Sequence, residues 1–245
     1  MAQKLAYVTG GMGGIGTAIC QRLHRDGFKV IAGCGPSRDH AKWIGEQKAL
    51  GYEFHASVGN VGDWESTVAA FQKVRAEHGK VDVLVNNAGI TRDAVFRKMT
   101  REDWDAVIET NLTSLFNVTK QVIDDMVDRG WGRIINISSV NGEKGQFGQT
   151  NYSAAKAGMH GFTMALAQEL AGKGVTVNTV SPGYIATEMV KKIRQDVLDK
   201  IVAGIPVKRL GTPDDIASIV SWVASDESGF ATGADFSVNG GLHMG

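Results

Sequence analysis

The amino-terminal segment places the strongest constraint on the fold of this chain. A short apolar stretch at residues 4–9 leads into a glycine-rich turn at residues 10–16, and a helical pattern with Ile15, Ile19 and Leu23 on one face follows. In such a strand–turn–helix unit, the free N–H groups and the positive end of the helix attract a pyrophosphate, and glycine lets the backbone approach it. The segment therefore predicts a dinucleotide-binding unit, with a purely structural tight turn as the alternative.

The rest of the chain repeats this alternation of strand and helix. Further apolar segments are predicted as strands at residues 28–34, 52–57, 81–85, 133–138, 175–180 and 234–238. Helical patterns separate them at about residues 39–50, 63–78, 101–129, 152–173, 188–202 and 213–224. The alternation predicts an α/β fold with a seven-stranded, doubly wound parallel sheet and helices on both faces. With 245 residues, of which 43% are hydrophobic, residues 1–245 are expected to form a single domain.

The end of the second predicted strand bears on the choice of dinucleotide. Many units of this kind carry an acid there that binds the ribose 2′-hydroxyl, whereas this chain reads GCGPSR at residues 33–38. An acid would repel a 2′-phosphate, but the Ser37 hydroxyl and the Arg38 guanidinium can hold one. Asp39 lies past the turn, where it can cap the next helix. We therefore expect NADP(H) rather than NAD(H); the alternative is that Arg38 is a solvated loop residue.

Residues 134–156 carry the constellation that indicates catalysis. Ser139 follows a predicted strand, and Tyr152 and Lys156 are four residues apart in the next helix, so they share one face. Tyrosine has a reference pKa of about 10, and a neighbouring ammonium favours the phenolate. We expect Lys156 to lower the pKa of Tyr152 toward a range that is useful for proton transfer. Taken alone, a tyrosine and a lysine at this spacing are common on helix surfaces.

Asn111 interrupts the helical pattern at residues 101–129, where asparagine is unfavourable by propensity. We expect a break in the helix near this residue. Its side chain either hydrogen-bonds a carbonyl that the break frees or holds a water molecule for proton transfer, and the residues by themselves leave both alternatives open.

Composition excludes several classes of function. The chain has 26 basic and 26 acidic residues, so its net charge attracts neither nucleic acid nor an anionic membrane. No apolar run reaches the roughly 18 residues of a membrane-spanning helix, and the N-terminus lacks a signal-peptide pattern. Cys20 and Cys34 are expected to be buried free thiols, and Cys20 with His24 lacks the further ligands that a metal needs. These features predict a cytoplasmic protein without a metal site.

Several motifs together resemble those of the classical short-chain dehydrogenase/reductases. They are Thr9-Gly10-x-x-x-Gly14-x-Gly16, Asn86-Asn87-Ala88-Gly89, Asn111, Ser139, Tyr152-x-x-x-Lys156 and Pro182-Gly183. The resemblance covers essentially the whole chain and implies a Rossmann fold. It implies that Tyr152 donates a proton and that Ser139 positions a carbonyl. It also implies that Lys156 lowers the tyrosine pKa and holds the nicotinamide ribose, and that Asn111 supports a proton relay through water.

The contacts to NADPH or NADP+ are expected from the glycine turn and from the ends of the following strands. They are Gly10, Met12, Gly13, Gly14, Ile15, Gly16, Gly35, Ser37, Arg38, Gly59, Asn60, Val61, Asn87, Ala88, Gly89, Ile90, Thr91, Tyr152, Lys156, Pro182, Gly183, Ile185 and Thr187.

Within the family, four stretches are similar to members that reduce acetoacetyl-CoA to (R)-3-hydroxybutyryl-CoA for polyhydroxybutyrate synthesis. They lie at residues 33–36, 87–93, 145–152 and 183–187. The similarity implies acetoacetyl-CoA as the substrate and a homotetramer. The implied substrate contacts are Asp93, Ser139, Gln146, Phe147, Gln149, Tyr152, Tyr184 and Arg194. Cations for the CoA phosphates are expected from Arg92, Arg97, Lys98, Lys191, Lys192 and Arg194, each of which taken singly is an ordinary solvated charge.

Two other functions are compatible with the sequence. A 3-oxoacyl-[acyl-carrier-protein] reductase of fatty acid synthesis performs the same chemistry on a protein-bound substrate, and it needs a basic surface for the acidic carrier protein. A non-catalytic protein that senses NADP would keep the fold without the reaction. The intact set of Asn111, Ser139, Tyr152 and Lys156 argues against the second of these functions.

Overall fold

The computed structural model describes residues 3–187, 190 and 194–244, and its sheet confirms the predicted α/β architecture. Seven parallel strands lie in the order β3-β2-β1-β4-β5-β6-β7. The strands are β1 Leu5–Val8, β2 Lys29–Cys34, β3 Phe54–Val58, β4 Val83–Asn86, β5 Gly132–Ile137, β6 Val175–Pro182 and β7 Asp235–Val238. The strand order reverses at β1, which lies between β2 and β4. In open parallel sheets, ligands bind beyond the carboxyl ends of the strands at such a reversal.

The helices follow the predicted alternation, with local differences. The helices of the described residues are α1 Gly14–Arg25, α2 His40–Ala49, α3 Trp64–His78, α4 Arg101–Ile108, α5 Ser114–Thr119, α6 Ile123–Arg129, α7 Val140–Lys144, α8 Thr150–Leu170, α9 Gln195–Gly204 and α10 Pro213–Ala224. The helix predicted at residues 188–202 is described only from Gln195 onward, because residues 188–189 and 191–193 lie outside the described part. None of these helices combines the length and the apolar character that crossing a membrane requires.

Helix starts agree with the local sequence where a polar side chain caps them. The Asp39 carboxylate accepts the Lys42 N–H at 3.0 Å at the start of α2. The Asp63 carboxylate accepts the Ser66 N–H at 2.7 Å at the start of α3. A cap of this kind typically stabilises a helix by about 1 kcal/mol. The capping role predicted for Asp39 is therefore confirmed.

The sheet is covered on both faces, as a doubly wound fold requires. On one face, Leu23 of α1 and Val220 of α10 are fully buried in one apolar cluster with the strands. On the other face, Phe71 of α3, Met126 of α6 and Leu170 of α8 belong to a second buried cluster. Complete burial of a side chain of this size contributes about 1.5–3 kcal/mol, so the two clusters hold the helices on the sheet. Both cysteines are buried free thiols, as predicted.

A pair of carboxyl groups connects α7 to the edge strand β7. Glu143 and Asp235 are neighbours, the Ser237 hydroxyl donates to Glu143 Oε1 at 2.6 Å, and the Ser181 hydroxyl donates to Asp235 Oδ1 at 2.8 Å. Burial, together with the neighbouring Glu143 carboxyl, raises the pKa of Asp235 to about 7. Because this pKa lies above the value in the unfolded chain, the unfolded state releases the proton first. Stability from this group is present at low pH and is lost as the pH rises through about 7.

Replacing the ionisable group should remove this dependence. We expect Asp235→Asn to raise the free energy of unfolding by about 1 kcal/mol at pH 8, or the melting temperature by about 2–4 °C, and to have no such effect near pH 4. Melting temperatures recorded across this pH range test the prediction. Asp128→Asn, on the exposed side of α6, is the matched control. Equal pH dependence in wild type and Asp235→Asn would contradict the assigned titration.

Candidate active site

The carboxyl ends of the central strands surround a cavity of about 540 Å³. Ser139, Tyr184 and most of the expected cofactor contacts line it. These contacts are Gly10, Met12, Gly13, Gly14, Ile15, Gly16, Gly35, Arg38, Asn87, Ala88, Gly89, Ile90, Thr91, Tyr152, Lys156, Pro182, Gly183, Ile185 and Thr187. Sequence reasoning missed four further lining residues, Cys34, Ile137, Ser138 and Val190. The first three lie at or next to the end of β2 or β5, and that position is the signal that could have identified them.

The other predicted contacts do not line this cavity. They are Ser37, Gly59, Asn60, Val61, Asp93, Asn111, Gln146, Phe147, Gln149 and Arg194. Asn60, expected as a cofactor contact, accepts the Gly62 N–H at its Oδ1 at 3.1 Å within a turn. Arg194 pairs with Asp196 at 2.8 Å. Phe147 is 87% exposed. Lys191 and Lys192, expected to supply cations, lie outside the described residues.

The glycine turn is held in place by the end of β4. The Asn87 side chain donates to the carbonyl oxygens of Thr9 and Gly10 at 3.0 and 3.1 Å. Thr9 Oγ1 accepts the N–H groups of Asn87 and Ala88, each at 2.9 Å. The turn itself leaves no space for larger residues, because a Cβ at Gly16 would lie 2.2 Å from the Gly10 carbonyl oxygen. The two neighbouring strand ends therefore form one rigid wall of the cavity.

The same wall fits a dinucleotide. Helix α1 begins at Gly14 after Gly13, which has no side chain to cap it, and its first turn carries no acidic residue. Its N–H groups and positive end are therefore free to bind a pyrophosphate. Arg38 lines the same cavity, and its Nη2 donates to the Met12 carbonyl oxygen at 2.7 Å. A cation thus lies against the glycine turn and faces the same cavity.

Ser139, Tyr152 and Lys156 meet at the opposite wall. Ser139 caps α7, and its Oγ accepts the Asn141 N–H at 3.1 Å. Tyr152 and Lys156 lie on one face of α8, with Lys156 Nζ 5.5 Å from the centre of the phenol ring. Lys156 is buried, and its Nζ donates to the Ile137 carbonyl oxygen at 2.8 Å. The predicted constellation is therefore brought together by α7, α8 and the end of β5.

The prediction that Lys156 lowers the pKa of Tyr152 was wrong. Burial raises the pKa of Tyr152 to about 12; the Ser139 hydroxyl offsets part of the rise and the Asp93 carboxylate adds to it. Burial also lowers the pKa of Lys156 to about 7, so this side chain is only partly charged near neutral pH. Desolvation of the phenolate outweighs its attraction to such a weakly charged neighbour. The phenol is consequently protonated at neutral pH, as a proton donor must be.

Asn111 lies in a π-helical turn at Glu109–Thr113, where the break was predicted. Its Nδ2 donates to the carbonyl oxygens of Val107 and Ile90, both at 2.9 Å. Its buried Oδ1 would lie 2.6 Å from a Cβ at Gly89, and no described group donates to this oxygen. The bond to a carbonyl of the preceding turn is therefore confirmed. The role in holding a water molecule stays a prediction, and the unpaired oxygen is compatible with it.

Polar side chains connect the residues of the expected substrate side, which we define as Asp93, Gln149 and the segments that carry them. Gln149 Nε2 donates to both carboxylate oxygens of Asp93 at 3.0 Å. Asn151, which sequence reasoning missed, is completely buried. Its Nδ2 donates to the Arg92 carbonyl oxygen at 3.1 Å, and its Oδ1 accepts the Tyr152 N–H at 2.7 Å. Asn151 thus ties the loop around Asp93 to the start of α8, and an asparagine directly before the tyrosine was its only sequence signal.

Comparisons with known proteins agree with this geometry. The sequence profile described as short chain dehydrogenase matches residues 4–198. The chain is 78% identical to the acetoacetyl-CoA reductase of Cupriavidus necator, over 100% of both chains. It is 54% identical to the acetoacetyl-CoA reductase of Allochromatium vinosum, over 98% of this chain and 99% of that protein. It is 46% identical to a 3-oxoacyl-[acyl-carrier-protein] reductase of Escherichia coli, over 98% of each. The chain therefore belongs to the short-chain dehydrogenase family.

Proposed function

We propose that this protein reduces acetoacetyl-CoA to (R)-3-hydroxybutyryl-CoA with NADPH, in the cytoplasm and for polyhydroxybutyrate synthesis. The observation that carries the proposal is the meeting of Ser139, Tyr152 and Lys156 at the 540 Å³ cavity, in a chain 78% identical to an acetoacetyl-CoA reductase. The product configuration and the biosynthetic role rest on that similarity. The two free cysteines are compatible with a reducing compartment.

The residues of this chain account for the proton that the reaction needs. As in the family generally, a nicotinamide cofactor supplies the hydride when it is bound. Ser139 Oγ accepts the Asn141 N–H and its hydroxyl neighbours Tyr152, so its proton can be given to the carbonyl of a substrate that lies between them. Tyr152 is protonated at neutral pH and gives its proton to the oxygen that becomes the alcohol. Lys156, fixed on Ile137, stands one helical turn away to orient the ribose.

The preference for NADPH is supported by the end of β2. The residues at 33–38 include no acid, and Arg38 lies against the glycine turn at the Met12 carbonyl. An arginine binds a phosphate through charge-assisted hydrogen bonds, but gains little from a ribose hydroxyl.

Removing the guanidinium should therefore discriminate between the two cofactors. We expect Arg38→Ala to weaken NADPH binding by about 10-fold or more and to leave NADH binding nearly unchanged, because only NADPH carries the 2′-phosphate. Dissociation constants from nucleotide fluorescence measure both effects. Lys48→Ala, at the exposed end of α2, controls for the loss of a surface cation. Equal weakening for both cofactors would remove Arg38 from the 2′-phosphate site.

A carrier-protein substrate is the second candidate. The relative from Escherichia coli supports this candidate less strongly than the acetoacetyl-CoA reductase of Cupriavidus necator supports the first, because its identity is 46% rather than 78%. Arg92, Arg97 and Lys98 are exposed on the segment that follows Thr91 of the cavity lining, and they could serve either an acidic protein or the phosphates of CoA.

The initial rate of NADPH oxidation separates these functions. We expect fast turnover with acetoacetyl-CoA, slower turnover with an acetoacetyl-carrier protein, and little turnover with NADH. Tyr152→Phe should lower the rate by about 10²–10⁴-fold, because the proton donor is lost, while NADPH still binds. Faster turnover of the carrier-protein substrate would favour the second candidate. Binding of NADPH without turnover of either substrate would favour a sensor, and unchanged turnover by Tyr152→Phe would rule out the assigned donor.

The proposed enzyme is a homotetramer, and α8 offers an interface for it. Ala154, Ala157, Gly161 and Met164 are exposed at three- and four-residue spacing along this helix. Met164 is 52% exposed, and Phe116 of α5 is 57% exposed. Such small and apolar side chains on one helix face are typical of a surface that another chain covers.

A charge on this face should dissociate the assembly. We expect Met164→Glu to convert a particle of four chains into smaller species in light scattering, because a buried unpaired carboxylate is costly. Leu50→Glu is the matched control, since Leu50 is 66% exposed at the end of α2. A mass of four chains for Met164→Glu would contradict the interface. A smaller mass for the wild type would contradict the tetramer.

A further inference from the structure

We propose that Asn141 is a positioning residue of the active site, which sets the orientation of Gln149 and, through it, of the Asp93 carboxylate. The proposal rests on the proposed function, in which Asp93 and Gln149 contact the substrate. Asn141 lies two residues after Ser139 on α7 and does not line the cavity, so it acts through other residues rather than on the reacting atoms.

One hydrogen-bonded chain joins the catalytic serine to the expected substrate side. The main-chain N–H of Asn141 donates to Ser139 Oγ at 3.1 Å, and its Nδ2 donates to Gln149 Oε1 at 3.0 Å. Gln149 Nε2 then donates to both oxygens of Asp93 at 3.0 Å. The chain connects three separate segments, namely α7, the residue before α8 and the loop that carries Asp93. A main-chain bond from Ala94 N to the Gly148 carbonyl oxygen, 2.9 Å long, holds the last two segments together.

The Asp93 carboxylate fixes the direction of the side-chain bonds in this chain. An ionised carboxylate only accepts, so Gln149 must turn Nε2 toward Asp93 and Oε1 toward Asn141. Asn141 must then present its own Nδ2. A flip of either amide would bring two acceptors together. Because no described group donates to the buried Oδ1 of Asn141, Gln149 is the partner that orients its side chain.

The main chain of the same residue also contacts Ser139. The Asn141 N–H occupies one lone pair of Oγ, and the hydroxyl proton of Ser139 remains available to another acceptor. Asn141 therefore links the donor that the substrate carbonyl needs with the Gln149–Asp93 pair on the expected substrate side. Displacing its side chain should misplace the substrate relative to Ser139 and Tyr152 without removing either group.

Reversing the chain is a sharp test of this role. Asn141→Asp removes the group that donates to Gln149. The Gln149 amide then lies between two carboxylates, and its Oε1 must face one of them, so two acceptors meet. Asp93→Asn alone keeps the chain but loses its charge. In the double variant, the carboxylate and the amide have exchanged places, so the chain can form again with the two side-chain bonds reversed and the net charge of the wild type.

We expect Asn141→Asp to lower kcat/KM for acetoacetyl-CoA by about 10-fold, mainly by raising KM. This is the effect of losing one hydrogen bond to a polar partner in a part-buried site. Asp93→Asn should cost less. The double variant should be more active than Asn141→Asp, although it carries one substitution more. NADPH affinity should be the same in all four proteins. Gln72→Glu with Asp128→Asn, two exposed residues on α3 and α6, repeats the same charge exchange as the control and should leave kcat/KM unchanged.

Denaturant unfolding of the same four proteins, without substrate, completes the cycle. The proposal expects non-additive effects in both unfolding and kcat/KM. Additive losses in kcat/KM would overturn it, whether or not unfolding shows coupling, because the chain would then be at most structural. A wild type that turns over no acetoacetyl-CoA would instead contradict the proposed function. In that case, additive effects on unfolding would still contradict the hydrogen-bonded chain from Asn141 to Asp93, and non-additive effects would support that chain.

Discussion

The hydrogen bond from the Lys156 ammonium to the Ile137 carbonyl is the interaction on which the active site depends. It is 2.8 Å long and buried, and it joins α8 to the end of β5. Ser138 strengthens the same connection, because its Oγ donates to the Lys156 carbonyl oxygen at 3.0 Å. Both bonds attach helix α8 to the end of the strand that precedes Ser139. Tyr152 and Ser139 face each other because these bonds hold their elements together.

Burial acts on Tyr152 and Lys156 in the same sense, toward their uncharged forms. It raises the pKa of the phenol to about 12 and lowers the pKa of the ammonium to about 7. A protonated phenol suits reduction, in which the enzyme must supply a proton. Ser139 and Asp93 then adjust the phenol in opposite directions, since the hydroxyl lowers its pKa and the carboxylate raises it. Asp93 therefore acts on the Tyr152 phenol through its charge and on the expected substrate side through its bond with Gln149.

Much of the fold was predictable because its signals are local. The alternation of apolar strands with helical patterns, the glycine turn and the cap at Asp39 depend on neighbours a few residues apart. Those predictions were confirmed. The predictions that failed or were missed involve distant partners. The pKa of Tyr152 depends on burial by several elements, and Asn151 is important because its amide reaches Arg92 in another loop.

The sequence by itself determined the order of the strands and helices along the chain and the glycine turn, because periodicity and spacing specify local structure. The tertiary structure alone decided which side chains meet, and in which state of charge. Asp93, Asn141 and Gln149 are separated by up to 56 residues, yet they form one hydrogen-bonded chain. Desolvation and hydrogen-bond direction depend on the surroundings in three dimensions, and the spacing of residues along the chain does not contain them.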